Sequence, residues 1–131
     1  MFDKYMVLTR GFQNVRDNGQ IVGFRMLVRI TYYRGVYLPI VGGFDVKVDG
    51  ESFPPDRMTF TVGGRAFTME EMGKAEKVRW PFGEPAILTI SKPGGLSPGI
   101  HEVEVTETLN PSYVPKGVFV GHTKRRITLV A

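Results

Sequence analysis

The chain has 131 residues, of which 42% are hydrophobic and 23% charged, with no cysteine and a formal net charge of +4. That length suits one domain over residues 1–131 and can bury a core without covalent staples, while the absence of cysteine excludes a disulfide framework, a thiolate nucleophile and a sulfur-based metal site. Ordinary hydrophobic and charged fractions exclude a disordered or collagen-like chain, and apolar runs of strand length exclude a membrane span.

The basic excess, 17 Lys and Arg against 13 Asp and Glu, is scattered except at Lys124, Arg125 and Arg126. A nucleic-acid binder is expected to carry a stripe of basic residues interleaved with aromatics, so nucleic acid is not an expected partner. The first residues, MFDKYMVLTR, never form an apolar h-region. A cytoplasmic location is therefore expected, and no membrane partner.

In chain order, the dominant hydrophobic period is two, that of half-buried strands. Asp17-Asn18-Gly19 supplies residues that tolerate positive φ, which predicts a hairpin flanked by Val15 and Ile21. Residues 20–30, QIVGFRMLVRI, then put Phe24, Met26, Val28 and Ile30 on a core face and Arg25, Leu27 and Arg29 on the other. FDVKV at 44–48 points Phe44, Val46 and Val48 inward and ends in the turn signal Asp49-Gly50. MTFTV at 58–62, Gly63-Gly64 and RAF at 65–67 read as another hairpin. Thr68 followed three residues later by Glu71 forms a capping box, and Met69 with Met72 gives one apolar side to a short helical turn that Gly73 stops. AILTI at 86–90, HEVEV at 101–105 and ITLV at 127–130 complete the set. The fold class this predicts is all-β, an antiparallel β-sandwich of roughly eight strands with one short helical turn.

No residue pattern supplies a self-contained catalytic site, so no catalytic and no metal-ligating residue is assigned. His101 and His122 stand alone, without a second His at metal-site spacing. His101 follows the Pro98-Gly99 turn, where a ring most often tethers a loop through its nitrogens; His122 lies in a stretch read as an exposed loop. Glu102 and Glu104 share one strand face about 7 Å apart. Acids of a glycosidase come from separate elements across a cleft, so these two read as a solvated face. Arg25 and Arg29 share a face with Leu27 between them, which suits an anion-binding patch, the wet side of a hairpin or a partner surface.

What does stand out is a set of large side chains beside turns: Tyr32, Tyr33, Arg34, Tyr37, Trp80 and Phe82. Tyr, Trp and Arg are enriched at interface hot spots, and they equally cap the open ends of sandwiches. Tyr32, Tyr33, Arg34, Trp80 and Phe82 are therefore the candidate partner-interface residues. For Trp80 in RWPFG two readings stay open. Either Trp80, Pro81 and Phe82 form a rigid docking knob, with Pro81 restricting Trp80 to extended backbone, or the indole plugs the core.

Three strings carry a family resemblance: YYRG at 32–35, FTVGGRAFTMEEM at 60–72, and RWPFGEPAILTISKPGGLSPGIHEVEVT at 79–106. In order and spacing they resemble the small, or β, subunit of bacterial C-glycoside deglycosidases, over most of the chain from about Gly11 to the last strand. Residues 110–126 match nothing in that pattern. The resemblance implies a non-catalytic β-sandwich subunit of a heteromeric enzyme, with higher assembly open. The partner α subunit is a TIM barrel related to sugar isomerases that carries the acid–base residues and a divalent metal, usually manganese; no cofactor is expected in the present chain. The implied reaction is a carbon–carbon lyase step on 3-oxo-C-glycosides of flavonoid-type phenols, an elimination and not a hydrolysis. An alternative from another class is a stand-alone carbohydrate- or phenol-binding sandwich whose aromatics stack on rings.

Overall fold

A computed structural model describes residues 6–32, 34–110 and 119–130. Its strands are β1 (Gln13–Asp17), β2 (Gln20–Val28), β3 (Val36–Tyr37), β4 (Val41–Val48), β5 (Glu51–Phe53), β6 (Met58–Val62), β7 (Arg65–Thr68), β8 (Arg79–Trp80), β9 (Ala86–Ser91), β10 (Gly99–Leu109) and β11 (Phe119–Leu129), with, among the described residues, one α-helix, α1 (Met69–Met72), and short 3-10 turns at Leu38–Ile40 and Pro55–Arg57. They form a five-stranded sheet in the order β1-β2-β9-β6-β7, a four-stranded sheet β11-β10-β4-β5, and a separate ribbon β3-β8. Every pairing is antiparallel.

Three hairpins are set by two-residue turns whose residues both carry positive φ: Asn18-Gly19, Asp49-Gly50 and Gly63-Gly64. Such turns match the right-handed twist of the strands they join, which explains why Asn, Asp and Gly occupy them. The hairpins fix register and so decide which side chains meet. Phe24, Met26 and Val28 of β2, Leu88 and Ile90 of β9, and Met58 and Phe60 of β6 are buried on one sheet. Phe44, Val46 and Val48 of β4, with Val103 and Val105 of β10, are buried on the other. Rings join the layers: Phe24 meets Phe53 edge-on at 5.3 Å, and Phe44 stacks on Phe60 at 5.7 Å.

The capping box forms as the sequence implies. Thr68 Oγ1 accepts from Glu71 N at 3.1 Å, and Glu71 Oε1 accepts from Thr68 N at 2.8 Å. A single turn of helix is marginal without such a cap; here it seats Met72 in the core.

Residues 119–126 depart from the expectation of a loop. β11 runs the full length from Phe119 to Leu129 and pairs with β10 along all of it. Its inward positions include Gly121, Thr123 and Arg125, so the apolar half of the alternation is missing until Ile127.

Candidate functional site

The ribbon β3-β8 carries Trp80 against rings of both sheets. Val36 pairs with Trp80 and Tyr37 with Arg79. Successive residues of a strand face opposite ways, so Val36 and Trp80 turn inward together while Tyr37 and Arg79 turn out to solvent. The Trp80 indole, 0% exposed, lies between the sheets, 5.0 Å from the ring of Phe60 and 6.3 Å from that of Phe44. Its Nε1 donates to Glu84 O at 2.8 Å. That bond, with Glu84 N donating to Pro81 O at 3.2 Å, closes the 81–84 turn from the inside. Gly83, with φ of 83°, supplies the left-handed residue the turn requires.

Of the two readings of Trp80, the structure takes the core plug: a fully enclosed ring offers nothing to a partner. Tyr32 is likewise buried, at 5% exposure. Tyr33 lies outside the described residues. Arg34 is exposed, and Phe82, at the tip of the turn that Trp80 holds, is 51% exposed.

The exposed residues around the ribbon form one cluster. Gly35 lies so close beneath β8 that a Cβ there would stand 2.8 Å from Trp80 O and 3.1 Å from both Arg79 Nη2 and Phe82 N. Only glycine fits, and its lack of a side chain lets Arg79 and the Phe82 turn close over the chain beside Arg34. Tyr37, 51% exposed, stands opposite Arg79. Two exposed aromatics and two exposed arginines on a rigid base match the composition of interface hot spots. Tyr37 and Arg79 complete the cluster that the sequence motif only half exposes. Alternation across the two-residue strands is the signal that places them, and it is too short to read without the pairing.

The other candidate residues fall elsewhere. His101 is a tether, as its position suggests: Nδ1 meets Asp49 Oδ2 and Nε2 meets Ser97 O, each at 2.6 Å. Both partners are acceptors, so the two bonds form together only when both ring nitrogens carry a proton. Burial opposes that charge, but the bonds to Ser97 O and the Asp49 carboxylate outweigh it, and the pKa is raised. Asp49 is lowered by its bond to His101 and by Glu102 N, which donates to Oδ1 at 2.9 Å.

Glu102 and Glu104 lie on the outer face of β10 as a solvated pair. Lys124 Nζ is 3.5 Å from Glu102, and His122 Nε2 is 2.8 Å from Glu104. The His122 bond is the main cause of a lowered pKa at Glu104. His122 is exposed but belongs to β11 and not to a loop. Arg25 and Arg29 are half-buried, and their Nε atoms are enclosed, so they are not the wet side of a hairpin. Among the described residues no three His, Cys, Asp or Glu side chains gather where they could hold a metal.

Comparison with known proteins gives the family. Residues 2–113 match the family described as C-glycoside deglycosidase beta subunit. A relative from Eubacterium cellulosolvens, the C-glycoside deglycosidase beta subunit, is 35% identical over 114 residues, covering 86% of this chain and 78% of that protein. With a match across most of its length on both counts, the chain belongs to the C-glycoside deglycosidase beta subunit family.

Proposed function

We propose that this chain is the non-catalytic β subunit of a carbon–carbon lyase, and that the β3-β8 ribbon is where it docks on the catalytic α subunit. The observation that supports this is the exposed cluster of Arg34, Tyr37, Arg79 and Phe82 over the enclosed Trp80. A subunit needs a rigid, partly apolar face with anchors of this kind. The partner is a TIM barrel carrying a divalent metal, with manganese the expected ion, and the site of chemistry lies there.

The substrate is a 3-oxo-C-glycoside of a flavonoid-type phenol. The ketone at C3 acidifies the proton at C2, which a general base of the partner removes. Negative charge develops on the C3 oxygen, the kind of charge that a divalent ion stabilises. The new C1–C2 double bond forms as the bond from C1 to the aromatic ring carbon breaks, and that carbon takes up a proton. The products are the free aglycone and an unsaturated anhydro-keto sugar. This chain contributes a docking face that holds the barrel in its working assembly.

The stand-alone binding-module reading fits less well. A cleft of about 740 Å³ beside Asn14, Arg16 and Leu96 has, among the described residues, no aromatic side chain in its lining on which a ring could stack. The test is to assay the purified chain, the barrel subunit and the co-expressed pair on matched oxidised and unoxidised C-glycosides. Turnover by the pair of the 3-oxo substrate only, and none by this chain, is expected. Activity in the lone chain, or equal rates on both substrates, would overturn the reading.

A further inference from the structure

The N-terminal segment and the last strand meet along one open side of the sandwich. Val7 bridges Val28, Leu8 N donates to Leu27 O at 3.0 Å, and Arg29 N donates to Met6 O at 2.7 Å. This segment thereby extends the edge of the five-stranded sheet past the end of β1. Facing it is β11, the edge of the other sheet. There Arg125 occupies an inward position between the buried Thr123 and Ile127, where a core side chain is expected. Its Nη1 crosses to Val7 O at 2.9 Å.

Between the two edges lies a cleft of about 250 Å³ lined by Val7, Leu8, Thr9, Arg10, Arg29 and Arg125. Of the six described residues that line it, three are arginines and none is acidic. Arg29 Nε is enclosed and has no hydrogen-bond partner among the described residues. Leaving a donor of a charged group unsatisfied is costly, and the Nε–Nη edge of a guanidinium is matched in shape by two oxygens of one anion. Arg25 also has an enclosed Nε without a partner among the described residues, but it does not line the cleft. At Arg29 the enclosed Nε coincides with the convergence of Arg10, Arg29 and Arg125 on one cavity. The volume suits a small oxyanion with a few waters and falls below the range of about 300–1,000 Å³ typical for larger ligands.

We propose that this cleft is an oxyanion site in which Arg29 and Arg125, with Arg10 at the rim, hold one carboxylate or phosphate group. Two sources share that chemistry: a free anion, or an acidic side chain of the partner subunit.

The test follows arginine Nε–Hε signals of the full-length chain by NMR while sodium phosphate is added, with sodium chloride at matched ionic strength as the control. A saturable shift of Arg29 with phosphate and none with chloride is expected. Arg10→Ala, at an exposed position, is expected to weaken binding about two- to fivefold. Arg29→Lys keeps the charge but loses the fork and is expected to weaken it at least about tenfold. An equal response to chloride, or the same phosphate affinity in Arg29→Lys, overturns the proposal. If Arg29→Lys does not fold, the wild-type and Arg10→Ala titrations decide by themselves. Repeating the titration on the chain bound to its partner separates the sources: loss of phosphate binding assigns the site to a partner carboxylate, and retention assigns it to a free anion.

Discussion

Trp80 and Phe82 stand two residues apart and do opposite things: the indole is 0% exposed between the two sheets, while the phenyl ring is 51% exposed at the tip of the turn. Glu84 O, accepting from Trp80 Nε1 at 2.8 Å, links the two roles, because the core plug fixes the turn that displays Phe82. Trp80→Ala removes the ring contacts with Phe44 and Phe60 together with that bond. It is expected to cost about 3 to 5 kcal/mol of folding stability, a large fraction of what a domain of this size possesses. Thermal or denaturant melts of the mutant chain check this; a melt within a degree or two of wild type would contradict it.

Phe82→Ala makes the complementary prediction. Its ring is half in solvent, so folding stability is expected to change by no more than about 0.5 kcal/mol. Binding to the partner subunit is expected to weaken by about 2 to 4 kcal/mol, roughly thirty- to a thousandfold in affinity. Tyr37→Ala should act in the same direction. Melts and quantitative pull-downs side by side give the answer. If both variants bind as tightly as wild type, the ribbon is not the docking face.

The strand pattern and the turns were legible because their signals are local. Asn18-Gly19, Asp49-Gly50 and Gly63-Gly64 encode their own backbone conformation, and β2, β4 and β6 are long enough for alternation to declare a buried face. The His101 tether was legible for a similar reason, since it follows directly from the Pro98-Gly99 turn. The orientation of Trp80 was not: β8 has two residues, and only its pairing with Val36 makes the indole point inward. The end of β11 was legible in ITLV at 127–130, but its first part was hidden because Gly121, Thr123 and Arg125 occupy its inner face where apolar residues carry the signal in other strands. The convergence of Arg10, Arg29 and Arg125, residues from three distant parts of the sequence, is a product of tertiary structure alone.

Thr68→Ala tests how far the short helix depends on its cap. The substitution leaves Glu71 N without its acceptor at the first turn, and a loss of about 1 kcal/mol is expected, with Thr68→Ser restoring most of it. Because α1 seats Met72 in the core, local amide exchange at residues 69–73 should rise before global stability falls. Unchanged exchange in Thr68→Ala would mean that the packing of Met72, and not the cap, holds the turn.

His101 and Asp49 make stability depend on pH in a direction that can be worked out. The pKa of His101 is raised above its ordinary 6.5, so its contribution is fully present below that value and is lost as pH rises through the raised one. That of Asp49 is lowered below 3.8, so its contribution is present above 3.8 and is lost as pH falls through the lowered one. The pair therefore contributes most between about pH 4 and 6.5. Asp49 is 53% exposed in its side chain, so solvent screening holds the gain to about 1 kcal/mol. Asp49→Asn is the probe, because Asn tolerates the φ of 51° at this turn while it removes the charge and one of the two acceptor oxygens that His101 and Glu102 N use. The stability difference between wild type and Asp49→Asn, measured by denaturant melts across pH, is expected to peak within that window and shrink on both sides. A difference that keeps growing above pH 7 would contradict the clasp, since a neutral imidazole cannot donate to both Asp49 and Ser97 O.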